Sequence, residues 1–169
     1  MADHSTENIE EQEKLSLFKA AQLILEECRM VLPGIQALFG FQLTVVFHPV
    51  FAEKLSKAEQ NLHMTAILLL ALAIVLVMTP AAYHRQTGPM KVSHDFIKIS
   101  TRMLLASMVP LAISICIDFY LVGQVIYHGT LIPLLTTALF VTIIFFWFVM
   151  PRFHSLSRLH RVARKERLK

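Results

Sequence analysis

Apolar positions recur along this chain in two different ways. Over roughly the first 30 residues they form a stripe, Leu15, Phe18, Ala21, Leu25, Cys28 and Leu32, at steps of three and four. Glu13, Lys14, Lys19, Glu26 and Glu27 occupy the other face. That spacing predicts an amphipathic helix that lies on a membrane surface or packs against a partner helix. From residue 31 the apolar positions become continuous, and residues 31–52 hold no ionisable side chain except His48. At about 1.5 Å per residue, such a run can cross a hydrocarbon core of about 30 Å. Three more runs follow, at about 62–83, 103–127 and 131–150. The pattern therefore predicts an all-α protein, a four-transmembrane-helix bundle over residues 31–151. An acidic tail with its amphipathic helix (1–30) precedes it, and a basic tail helix (152–169) follows.

Composition agrees with this class. The chain has 169 residues, 55% of them hydrophobic and 17% charged, with mean hydropathy +0.56. These proportions suit a membrane protein and leave no room for a separate soluble domain. The N-terminus lacks a basic segment followed by an apolar one, so no cleaved signal peptide is expected. Cys28 and Cys116 lie before the first predicted span and inside the third, which argues against a bridge between them.

Charge sets the expected orientation. An even number of spans puts both termini and the 84–102 loop on one side, with fourteen of the sixteen Lys and Arg residues. Only Lys54 and Lys57 fall on the other. The excess of basic residues in cytoplasmic loops then places both termini in the cytoplasm. The last 18 residues carry seven basic and one acidic side chain, so this tail should lie on anionic lipid. A basic segment directly after a span is a topology signal, and no nucleic-acid partner is expected.

Two local patterns resemble a known family. One is Glu26-Glu27, Arg29, Leu32-Pro33-Gly34, Gln36, Leu38-Phe39, Phe41 and Leu43, with Phe47 and Phe51 beyond. The other is Thr79-Pro80-Ala81-Ala82-Tyr83-His84-Arg85 at the end of the second predicted span. Together they resemble a family of small bacterial four-span integral membrane proteins of unknown function, some of which carry the automatic label sodium:proton antiporter. The resemblance covers most of residues 20–150. It supports the architecture and supplies little chemistry.

The candidate chemistry is sparse. Asp118 is a full charge within the third predicted span, where a carboxylate normally faces protein or water. Ser107, Ser114 and Asp118 share a helix face. They form either a proton or cation site or a hydrogen-bonded glue between helices. Gln36, with Gly40, Leu43 and Phe47, marks a face of the first span that either packs closely or lines a polar path. Pro33 is expected in the first turn of that span. Glu26, Glu27, Arg29, His84, Arg85 and Arg102 gather at the cytoplasmic mouth, as an ion-pair network or a cation vestibule. His48, His63 and His128 are expected at the outer edge and His84, His94, His154 and His160 at the inner. None has metal-ligand spacing within a span, so neither a metal nor another cofactor is expected. No hydrolase or nucleotide-binding motif occurs, which argues against an enzyme. The leading expectation is a small, oligomeric proton- or cation-translocating protein. Its rival is a non-transporting structural or accessory subunit of a larger membrane complex.

Overall fold

The computed structural model describes residues 2–87, 92–127 and 129–152, without the side chains of residues 2–11 and of Lys14. The basic tail beyond Arg152, predicted as a helix lying on anionic lipid, is outside the described residues. Among those residues every regular element is a helix: α1 (Ala2–Val45), α2 (Pro49–Lys54), α3 (Lys57–Thr87), α4 (His94–Ile126) and α5 (Leu131–Ile144). A π-helical turn, Phe145–Val149, continues α5 to Arg152. Among the described residues, three stretches are long and apolar enough to cross a membrane: Lys57–Thr87, His94–Ile126 and Leu131–Arg152. The chain divides into two compact units, Met1–Ser114 and Ile115–Lys169.

The amphipathic stripe and the first apolar run are one helix. Pro33 sits inside α1 and not in a first turn. It removes the backbone hydrogen bond that the Arg29 carbonyl would otherwise accept. The run 31–52, expected as a single span, is divided near its end. His48 precedes Pro49, and the residue before a proline is pushed out of the helical region. His48 accordingly has φ −80° and ψ 133°, and its ring accepts a 3.4 Å hydrogen bond from the Val50 N–H at the start of α2. The apolar part of α1, residues 31–45, then spans only about 22 Å.

Caps explain the next two starts. Ser56 and Glu59 form a reciprocal cap before α3: the Ser56 N–H and hydroxyl donate to Glu59 Oε2 at 2.8 and 2.7 Å. In return the Glu59 N–H donates to Ser56 Oγ at 3.4 Å. Ser93 caps α4 by accepting from the Phe96 N–H at 3.2 Å. Inside the apolar helices, threonine hydroxyls find partners on their own backbone. Thr79, Thr136, Thr137 and Thr142 each donate to the carbonyl four residues earlier, at 2.8–2.9 Å. A hydroxyl satisfied in this way can face hydrocarbon at little cost.

The first unit is held by seven-residue repeats. Ala21, Cys28, Ile35 and Gln42 are the buried positions of α1, and Leu25, Leu32 and Phe39 between them are half-buried. On α3 the buried set is His63, Ala66, Ile67, Leu70, Ala73, Val77 and Pro80. The two helices run antiparallel, so each step of seven along α1 meets a step of seven back along α3. His63 reaches Gln42 at one end, and Ala21 and His84 line one pocket at the other. Cys28, Ile35, Leu70 and Val77 make the apolar centre between these ends. On α4, Ser100, Ser107 and Ser114 repeat at the same interval, all buried. Ser114 bonds to the Ala66 carbonyl, and Phe96 packs on His84. Two contacts a helix length apart thus fix the antiparallel register of α3 and α4.

In the second unit, Gly123 allows α5 to approach the end of α4. A Cβ there would lie 2.6 Å from Ile132 Cγ2, and Ile132 is the buried residue of α5. Gly129 in the connection has φ 150°, which favours glycine. The π turn precedes Pro151, whose ring would press on the Trp147 carbonyl in a regular α-helix.

Candidate functional site

Four groups from three helices meet at one end of the first unit. Gln42 Nε2 donates to Ser114 Oγ at 2.9 Å, and Ser114 Oγ donates to the Ala66 carbonyl at 2.9 Å. His63 Nε2 stands 3.0 Å from the Gln42 carbonyl, which calls for the tautomer with its proton on Nε2. Phe51 of α2 covers the His63 ring edge-on, with ring centres 5.2 Å apart. Gln42, His63 and Ser114 are all buried, Ser114 completely. In an apolar medium each bond closes off a polar group that would otherwise lack a partner. The arrangement ties α1, α3 and α4 together at one level.

Of the expected intramembrane residues, Ser114 belongs to this network and Gln36 does not. Gln36 is exposed on α1, as are Gly40 and Leu43, and Phe47 is exposed beyond the end of that helix. The buried stripe at 21, 28, 35 and 42 lies about a quarter turn or more away. Ser107 is buried and donates to the Leu104 carbonyl of its own helix at 2.7 Å. Asp118 belongs to the second unit, where it is half-buried and has a partner.

Gln42 and His63 were missed in the sequence. His63 was expected at a membrane edge, yet only 5% of its surface is exposed. Gln42 continues the stripe of Ala21, Cys28 and Ile35 by one further step of seven, and that signal was available.

The expected mouth residues are partly brought together. A pocket of about 240 Å³ is lined by Phe18, Ala21, Gln22, Leu25, Glu26 and Arg29 of α1 and by His84 of α3. Gln22 Nε2 donates to Glu26 Oε1 at 3.4 Å. The His84 ring packs on Phe96, ring centres 5.7 Å apart, and Tyr83 stacks on the same Phe96. Glu27, Arg85 and Arg102 are exposed and do not line the pocket. Glu27 instead affects its neighbour: burial pushes the Cys28 thiol above its ordinary pKa, and the Glu27 carboxylate adds to the shift. Farther out, Glu13 Oε1 and His94 Nε2 stand 3.1 Å apart, both well exposed. Such a pair contributes little to stability. Among the described residues no group of three or more His, Cys, Asp or Glu side chains is placed to hold a metal ion.

The model of a family of unknown function, DUF6328, matches residues 10–151. No curated protein and no solved structure matches the chain.

Proposed function

The chain belongs to that family of unknown function, and from its own geometry we propose that it is a non-transporting structural or accessory membrane protein. One observation carries this reading. The hydroxyl of Ser114, which a path through the bundle would need facing water, is fully buried and bonded to Gln42 and the Ala66 carbonyl. Such a group holds helices in register and has little left to offer a passing ion. The outward position of Gln36 supports the same reading, because a conduit inside the bundle would not use it. In this reading the protein is not an enzyme. It sits in the bacterial inner membrane with both termini in the cytoplasm, alongside further copies or a larger complex. The apolar end of α1 completes a fourth crossing with the help of α2, and the basic tail rests on anionic lipid.

A second reading, proton or cation translocation by an oligomer, draws on Asp118, a half-buried carboxylate within one of the apolar helices. Flux assays on the purified protein in liposomes separate the two. The structural reading expects proton and sodium flux at the level of protein-free vesicles, for wild type and Asp118→Asn alike. Flux in the wild type that Asp118→Asn abolishes, with helicity and oligomer state unchanged, would replace it with the transport reading.

A further inference from the structure

We propose that the pocket between α1 and α3 binds the phosphoethanolamine group of a zwitterionic phospholipid. The proposal stands apart from whatever Asp118 does. The pocket's lining divides by chemistry. Phe18 and Leu25 supply apolar wall, Glu26 an anion, and Arg29 and His84 nitrogen donors. Glu26 and Arg29 are three residues apart on α1, so they sit about 4.5 Å apart along its axis. A phosphate and an ammonium joined by two carbons present opposite charges at a comparable distance. Arg29 can take two phosphate oxygens with its planar fork, and the His84 ring, held by Phe96, supplies another donor. Glu26 Oε1, steadied by the Gln22 amide, can accept from an ammonium N–H. A primary ammonium suits that carboxylate. A quaternary one would call for an aromatic cage, and Phe18 is the single phenyl ring lining the pocket.

The depth also fits a headgroup. Arg29 is the last charged residue of α1, immediately before the apolar run, and His84-Arg85 ends the apolar run of α3. The pocket therefore lies where hydrocarbon gives way to charge on both helices, with Arg29 nearer the apolar run than Glu26, as a lipid phosphate lies nearer the hydrocarbon than its ammonium.

The test uses the delipidated full-length protein in detergent, with native mass spectrometry to count retained lipid. Phosphatidylethanolamine, phosphatidylglycerol and phosphatidylcholine of equal chain length are offered in competition. Phosphatidylethanolamine should be retained about tenfold over the other two, the scale of one charge-assisted hydrogen bond. Arg29→Gln should lower its retention about tenfold. Glu26→Gln should abolish the preference over phosphatidylglycerol while leaving phosphate binding in place. Both residues are exposed, and unchanged helicity confirms that the variants fold. Soluble glycerophosphoethanolamine identifies the source: displacement of the lipid at millimolar concentration means that the headgroup alone is recognised. Binding of the soluble compound without the lipid would move the site to a free metabolite of the same chemistry. Equal retention of the three lipids by wild type, with no binding of the soluble headgroup, overturns the proposal, as does a preference that neither variant changes.

Discussion

Two apolar helices, α3 in the first unit and the stretch from Leu131 to Arg152 in the second, are buried to very different degrees. In the most apolar stretch of α3, 33% of residues are buried, and in that of α4, which runs from the first unit into the second, 39%. In the stretch from Leu131 to Arg152 the figure is 6%. The last stretch is intermediate in apolarity between α3 and α4, so composition does not account for the difference. Hydropathy and packing are separate properties here. In lipid, apolarity keeps a helix in the membrane but does not press it against a neighbour, because the acyl chains are equally apolar. Helices associate through shape and hydrogen bonds. Buried Ala66, Ala73, Ser100, Ser107 and Ser114 and the Gln42–Ser114 bond supply both in the first unit. Leu134, Val141, Phe145 and Phe146 are exposed, which suits contact with acyl chains or another protein.

The contrast predicts where truncation matters. Leu70 is fully buried in the apolar centre, so Leu70→Ala should destabilise the protein by about 2 kcal/mol or more. Leu134→Ala, at an exposed position, should stay within about 0.5 kcal/mol of wild type. Unfolding in mixed micelles, followed by circular dichroism, compares them, and equal losses would break the contrast. In the second unit, where Leu121 and Ile132 are buried, Gly123 is expected to behave like a core position. Gly123→Ala forces a Cβ against Ile132, and overpacking of this kind costs about 1–3 kcal/mol. The same substitution at Gly40, where a Cβ meets nothing within 4 Å, should be neutral or slightly stabilising.

A smaller effect is expected in the polar layer. Gln42→Leu and Ser114→Ala each remove the bond between α1 and α4, and a double-mutant cycle should return a coupling of about 0.6–1.7 kcal/mol. A coupling near zero would reduce the layer to packing alone. Smallest is the pH effect of Cys28. Its raised pKa favours the neutral thiol in the folded state, so the unfolded chain ionises first as pH rises. Stability from this group is full below the ordinary thiol pKa and declines above it. Alkylation of Cys28 in folded protein should accordingly be much slower than that of a cysteine at exposed position 27 (E27C), and should accelerate only at alkaline pH.

Helix class and apolar runs were legible in the sequence because both follow from composition over long windows. The three apolar stretches beginning at Lys57, His94 and Leu131 overlap the runs expected at about 62–83, 103–127 and 131–150. The division of the run 31–52 was less legible, although His48-Pro49 carries the local signal. Pro49 itself suits the first turn of α2, and the restriction falls on His48 before it. The side of α1 that packs was misjudged beyond residue 32. Gly40 and Gln36 drew attention as a small residue and a polar one, while the heptad from Ala21 through Gln42 held the register. At the mouth, periodicity placed Glu26 and Arg29 near one another. His84 joined them only through the antiparallel pairing of α1 and α3, which no local pattern encodes.

Whether water reaches Ser114 tests the central claim most directly. In a Cys28→Ser, Cys116→Ser background, single Ser114→Cys and Glu26→Cys variants in sealed membrane vesicles are treated with a membrane-impermeant maleimide, applied from each side in turn. The closed polar layer predicts rapid labelling at position 26 from one side and none at position 114 from either. Labelling of position 114, with the folded helix content retained, would contradict a closed layer and put a water-filled path through the bundle in its place.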